Sequence, residues 1–293
     1  MKKFTLALFL LLALWSISAE AATCTWTGGT GTWNNSNTAS WSCGAVPGTG
    51  DAVVFDGTSG GGTVTVDSPN GAGSVTVQSI TMGAFTGTLD FAANDNNVAL
   101  SVSFSCSGVG ARTLNLGDGT WTLTTTNITP WDCATVTNLT FNANASTIVF
   151  AGTTASARTM QKGTSGTVAY NAVSVGANSS GGAFIISGTA PFASFSATAP
   201  AFIAFGNSMT FTNAPTLTGS SSAIFGFVSS AGGTARTITL TSGNFSCSWC
   251  GVRDITFSGG TNAATDSFNL GNNTNITITP PAAGGGGGRC IGC

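Results

Sequence analysis

Short runs of residues alternate apolar with polar at a period of two along almost the whole chain, and after residue 21 no segment carries a sustained helical stripe. Val64-Thr-Val66, Val75-Thr-Val77, Leu114-Asn-Leu116, Trp121-Thr-Leu123, Leu139-Thr-Phe141, Met209-Thr-Phe211, Ile238-Thr-Leu240 and Ile276-Thr-Ile278 each put two apolar side chains on one strand face and a polar one on the other. Clusters of Gly, Asn, Ser and Pro, such as Ser59 to Gly62, Asn178 to Gly182 and Gly219 to Ser222, break the chain between these runs. The pattern calls for an all-β fold. With 42 % hydrophobic residues and nineteen Phe, the chain has the material for a packed core despite its abundant Ser, Thr and Asn.

Many short strands fit a sandwich, a barrel or a solenoid, and internal repetition separates the three. Ala-Arg-Thr opens a strand at Ala111, Ala157 and Ala235, offsets of 157 − 111 = 46 and 235 − 157 = 78 residues that divide into two steps of 23 and three of 26. A period in the twenties suits a coil of three short strands stacked on its neighbours at about 4.8 Å. Sandwich domains need a boundary that the sequence does not offer. The expectation is a single-domain right-handed parallel β-helix, or β-solenoid, spanning residues 58–279, with about ten coils accounting for the length of the mature chain.

Residues 1–21 combine Lys2 and Lys3, an apolar run from Leu6 to Trp15, and the small residues Ala19 and Ala21, the three-part pattern of a secretory signal peptide. Thr23 before Cys24 argues against a lipoprotein acceptor and for cleavage after Ala21, which implies export through the general secretory pathway to the medium or the cell surface. No later stretch has the roughly 18 apolar residues of a spanning helix, so no transmembrane span is expected after cleavage. Residues 22–57 form a Trp- and Gly-rich cap and first strand: Trp26, Trp33 and Trp41 lie among glycines and asparagines, bracketed by Cys24 and Cys43. Pro47, Gly48, Gly50 and Asp51 then set off the apolar run Ala52 to Phe55. Residues 280–293 read as a Pro/Gly-rich flexible tail with a Cys pair.

The spacing of these tryptophans and glycines, with Ala39-Ser40-Trp41, the Gly44 to Gly48 turn and Asp51 before Val53-Val54-Phe55, resembles the opening module of exported bacterial β-helical surface proteins of the autotransporter-passenger and adhesin-like kind. Gly259-Gly260, Gly271-Asn272-Asn273-Thr274 and Ile276-Thr-Ile278 resemble their closing coil. The resemblance covers about a fifth of the chain by its motifs, and it implies a scaffold on or near a cell surface rather than a reaction.

Removing residues 1–21 leaves nine acidic groups, all Asp, and six basic ones, a formal charge of 6 − 9 = −3. So few charges leave no electrostatic footprint for nucleic acid. The chain has no His, and Glu20 is its one Glu, which removes the usual general base, the serine and cysteine triads and most metal-hydrolase ligand sets. A glycan hydrolase or lyase would have to run on paired Asp, and Asp95, Asp118 and Asp132 are scattered singly beside turn residues. No cofactor or metal is implied.

Eight cysteines in an exported chain read as disulfides. Cys24 with Cys43 closes the cap. Cys106 and Cys133 are about one coil apart, within disulfide reach if stacked. Cys247 and Cys250 face opposite ways on a strand and need a turn or other partners; with Cys290 and Cys293 they make two Cys-x-x-Cys pairs, for which disulfides compete with zinc and prevail outside the cell. Arg112, Arg158 and Arg236 fit either a row reading a glycan or corner residues bonding carbonyls, and Trp121, Trp131 and Trp249 either stack on sugars or fill the core. Outward pairs such as Thr63/Thr65, Thr120/Thr122, Thr210/Thr212, Thr237/Thr239 and Thr277/Thr279 would order water or ice if they shared a flat face. The reading is a non-enzymatic scaffold of adhesin type that binds surface glycans or cell-envelope components, with an Asp-based glycan enzyme and an ice binder as the alternatives.

Overall fold

The computed structural model describes residues 21–164 and 166–282. The signal segment, apart from Ala21, and the Cys290/Cys293 pair lie outside them. Among the described residues are twenty-seven strands and no helix, and every pairing between named strands is parallel. They wind into a β-solenoid of about nine turns.

The coils have three sides. Side A stacks Thr23–Thr25, Ala52–Val54, Trp131–Asp132, Arg158–Gln161, Ala183–Ser187, Ala201–Phe205, Phe225–Ser229 and Cys250–Arg253, with the ends of Ser74–Thr81 and Asn97–Ser105 inserted in order. Side B takes the beginnings of those two long strands and continues through Thr120–Leu123, Thr147–Phe150, Tyr170–Val175, Phe192–Thr198, Thr216–Thr218, Ser246–Ser248, Ala263–Thr265 and Thr277–Ile278. Side C carries Gly31–Asn34, Thr63–Asp67, Thr88–Asp90, Arg112–Asn115 and Leu139–Asn142, and, further along the axis, Met209–Phe211, Arg236–Leu240 and Ile255–Ser258.

The period-two pattern explains the interior. On side A, Cys24, Val53, Ile80, Phe104, Trp131, Met160, Ile186 and Phe205 stack in register, and all are buried. On side B the inner row is Val75, Val98, Trp121, Ile148, Val173 and Phe195. Each such side chain removed from water contributes roughly 1.5–3 kcal/mol before the entropy of ordering is subtracted. Aromatic rings continue from coil to coil: Phe104 lies 5.2 Å from Trp121 and 4.4 Å from Trp131, and Phe227, Phe245 and Phe257 pack at the other end.

Residues 22–57 join this stack directly, since Thr23–Thr25 and Ala52–Val54 belong to side A. The segment Ser40 to Ser42 folds back over the free edge of the first strand. Thr27 N–H donates to Ser40 O at 2.8 Å, Ser42 N–H to Thr25 O at 2.9 Å, and Thr25 N–H to Ser42 Oγ at 2.8 Å. An edge that would otherwise offer unpaired backbone groups is thereby closed.

The repeat behaves differently from its expected spacing. Arg112 opens a strand on side C, Arg158 one on side A and Arg236 one on side C, so Ala-Arg-Thr does not mark one position of successive coils. The reason is uneven coil length. Along side B, Ala263 is followed one coil later by Thr277, a step of 277 − 263 = 14 residues, whereas Thr216 is followed by Ser246, a step of 246 − 216 = 30. Loops at the corners absorb the difference, and the strands stay in register.

Candidate functional surfaces

Two of the tryptophans considered for sugar stacking are core residues. Trp121 and Trp131 are wholly buried, 5.9 Å apart ring to ring, and present no ring face to solvent. Trp249 is partly exposed. It occupies the corner between Ser246–Ser248 and Cys250–Arg253 with φ 58°, and this left-handed residue is the turn that lets Cys247 and Cys250 join as a disulfide. Cys24–Cys43 and Cys106–Cys133 are the other disulfides among the described residues.

Two of the arginines are likewise turned inward. Arg112 donates to the carbonyls of Cys106, Gly110, Thr135 and Thr137, so its guanidinium closes the corner between sides A and C on two coils. Arg158 is buried, with one hydrogen bond to Thr125 O at 3.3 Å and its guanidinium 5.7 Å from the Phe184 ring centroid. Neither is placed to read a glycan. Burial lowers the pKa of both below the usual arginine value. Arg236 is partly exposed and stands apart from them. Parity would have revealed the inward pair: Arg112 shares its strand face with Leu114, and Arg158 shares one with Met160.

Lys162 is also internal. Its ammonium donates to Ala190 O and stands 4.9 Å from the Phe192 ring centroid. Burial pushes its pKa down to about 7. Tyr170 is enclosed beside it, accepting from Trp131 Nε1–H at 3.0 Å and donating to Lys162 O at 3.2 Å, and burial raises the phenol above its ordinary value. This buried chain of polar groups satisfies itself.

The carboxylates act as corner clamps. Asp51 accepts from the backbone N–H groups of Ala22 and Gly48, Asp95 from that of Asp118, and Asp118 from that of Ala145. Asp132 accepts from Ser107 Oγ and Ala134 N–H. Among the described residues no three His, Cys, Asp or Glu side chains gather as a metal site. A cleft of about 490 Å³ beside Phe257, Gly260, Asn262, Asn275 and Ile276 holds no titratable side chain.

The threonine pairs divide between two sides. Thr63/Thr65, Thr210/Thr212 and Thr237/Thr239 belong to side C, while Thr120/Thr122 and Thr277/Thr279 belong to side B. Pairing nevertheless builds a longer row on side B than those pairs suggested. Thr76, Ala99, Thr122, Val149, Ser174, Ser196, Thr216, Ser246, Ala263 and Thr277 are in register over ten strands. A second row runs beside it through Ser74, Asn97, Thr120, Thr147, Ala172 and Ser194. Neither row contains a charge or an aromatic ring. Side C is less uniform: Thr63, Thr88, Thr113 and Thr140 are in register, beside Asp90, Asn115 and Asn142 joined by side-chain hydrogen bonds.

No family model, curated protein or solved structure matches the chain. Among the described residues no helix is long and apolar enough to cross a membrane.

Proposed function

We propose that the protein is an exported scaffold of adhesin type that holds an extended glycan surface against side B, without catalysis. The supporting observation is the ten-strand row from Thr76 to Thr277, kept in register although coil length changes around it. Small hydroxyl and methyl groups at a strand spacing of about 4.8 Å bind weakly one at a time and add up only over a regular surface. Disulfides and the signal-like pattern of residues 1–21 support an oxidising, extracellular setting.

The test is retention on crystalline cellulose and chitin. Thr122→Arg with Ser196→Arg plants two long charged side chains in the middle of side B, away from the core. Retention should fall by about ten-fold, equivalent to roughly 1.4 kcal/mol, at an unchanged melting temperature. Equal retention of the variant and the parent protein refutes the reading, and release of reducing ends or unsaturated products favours the Asp-based enzyme instead. The same uncharged hydroxyl–methyl rows favour ice as a second reading, tested by whether the protein is incorporated into slowly growing ice.

A further inference from the structure

Among the described residues nine non-glycine residues have positive φ, and eight of them are Ser, Asp or Asn. Short polar side chains tolerate this conformation through local hydrogen bonds; the ninth, Trp249, has no such means. An indole at a left-handed corner is the kind of backbone outlier that a site explains better than packing does. Its ring makes no contact with another aromatic ring, and its indole N–H no hydrogen bond, among the described residues. The other described tryptophans are all buried in the core.

The corner is held from both sides. Cys247–Cys250 closes around it, Trp249 N–H donates to Thr265 O at 3.1 Å, and Trp249 O accepts from Phe225 N–H at 2.9 Å. Ser248 pairs with Thr265 of the next coil, their hydroxyls 2.8 Å apart and both exposed. Asp266 follows Thr265 and turns the same corner one coil on, with φ 48°. Trp249 and Asp266, each next in sequence to one of these paired hydroxyl residues, thus occupy the same corner of successive coils at the border of sides B and A.

We propose that Trp249 is the stacking platform of a site for one neutral pyranose unit. The C–H face of the sugar lies on the indole, and its hydroxyls reach Ser248, Thr265 and the Asp266 carboxylate. A flat ring with an apolar body and a polar tip suits a ligand of that mixed character. This rests on the reading of side B as a glycan-binding surface and adds the residue that grips a single sugar.

The experiment titrates cellohexaose, chitohexaose and laminarihexaose into the full mature protein, following tryptophan fluorescence and heat. At least one should perturb the emission, and Trp249→Ala should weaken its binding about ten-fold, with Trp249→Phe retaining most of the affinity. Trp249→Gly should melt no lower than the parent protein, because glycine relieves the left-handed strain. Unchanged affinity in Trp249→Ala, a lowered melting temperature in Trp249→Gly, or no binding of any of the three overturns the site. Retention on crystalline polysaccharide, lost in the Thr122/Ser196 variant yet kept in Trp249→Ala, would overturn the site alone and leave the proposed function standing.

Discussion

Lys162 carries an enclosed charge that meets one carbonyl and one aromatic face. Its folded-state pKa of about 7 lies below the ordinary lysine value of 10.5, so between those limits the unfolded chain binds the proton more readily. Stability therefore rises from pH 7 towards pH 10 and is at its lowest below pH 7, where the folded protein carries the buried charge. Tyr170 has the opposite sign: its raised pKa contributes stability that is present below the ordinary phenol value and lost above it. Urea unfolding across this range should show a maximum near pH 10. Lys162→Met should flatten the slope and add roughly 1–3 kcal/mol at pH 7, the gain being limited by the Ala190 carbonyl left without its donor. A variant with the parent's pH slope would show that another group carries the dependence. The burial of these cations was legible in parity, since 158, 160 and 162 point the same way and 160 is Met. Residue type obscured it, because Lys and Arg in a low-charge chain invite a functional reading.

At the scale of single coils, the strands and their corners were legible, while the side each strand joins was not. Alternation gives a strand its inner face whatever the length of the loop after it, so Val64, Leu114, Trp121 and Ile238 all point inward as their spacing implies. Which side comes next depends on corner loops whose lengths vary freely, and for that reason the three Ala-Arg-Thr segments fall on two different sides. The cysteines obey the same logic. Cys106 and Cys133 are stacked neighbours separated by 27 residues, whereas Cys247 and Cys250 span a corner and are separated by 3. In the chain-entropy account the longer loop restricts the unfolded state more, by roughly 3–4 kcal/mol against about 2 for the short one. Cys106→Ser with Cys133→Ser should therefore lower unfolding free energy more than Cys247→Ser with Cys250→Ser, and the second pair should chiefly loosen the Trp249 corner. The reverse order in denaturant titrations would contradict this account. Backbone packing at the corners is equally exacting: a Cβ on Gly119 would run into the Asn96 carbonyl, so Gly119→Ala should cost roughly 1–3 kcal/mol.

Across the whole molecule, each coil touches chiefly the coil before and the coil after it, so stability is close to a sum of coil and interface contributions and the ends matter most. The N-terminal end is sealed by side chains as well as backbone. Trp41 lies 5.1 Å from Trp26, 5.2 Å from Trp33 and 6.0 Å from Phe55, and its own segment covers the first strand. The other end is treated differently, with Pro280 and Pro281 after Thr277–Ile278, two residues that have no N–H to offer a new strand. Trp41→Ala removes the ring that the first coil packs against, a loss of roughly 3–5 kcal/mol for a large buried aromatic. In a nearest-neighbour stack that loss stays local. Hydrogen exchange should quicken in Thr23–Thr25, Gly31–Asn34 and Ala52–Val54, while Thr147–Phe150 and the strands beyond keep their protection. The exposed edge should also add self-association on sizing columns, since a parallel strand without a partner is a template for another chain. Uniform loss of protection from end to end would instead make the solenoid one cooperative unit, and the cap would then hold the whole molecule rather than its first coil.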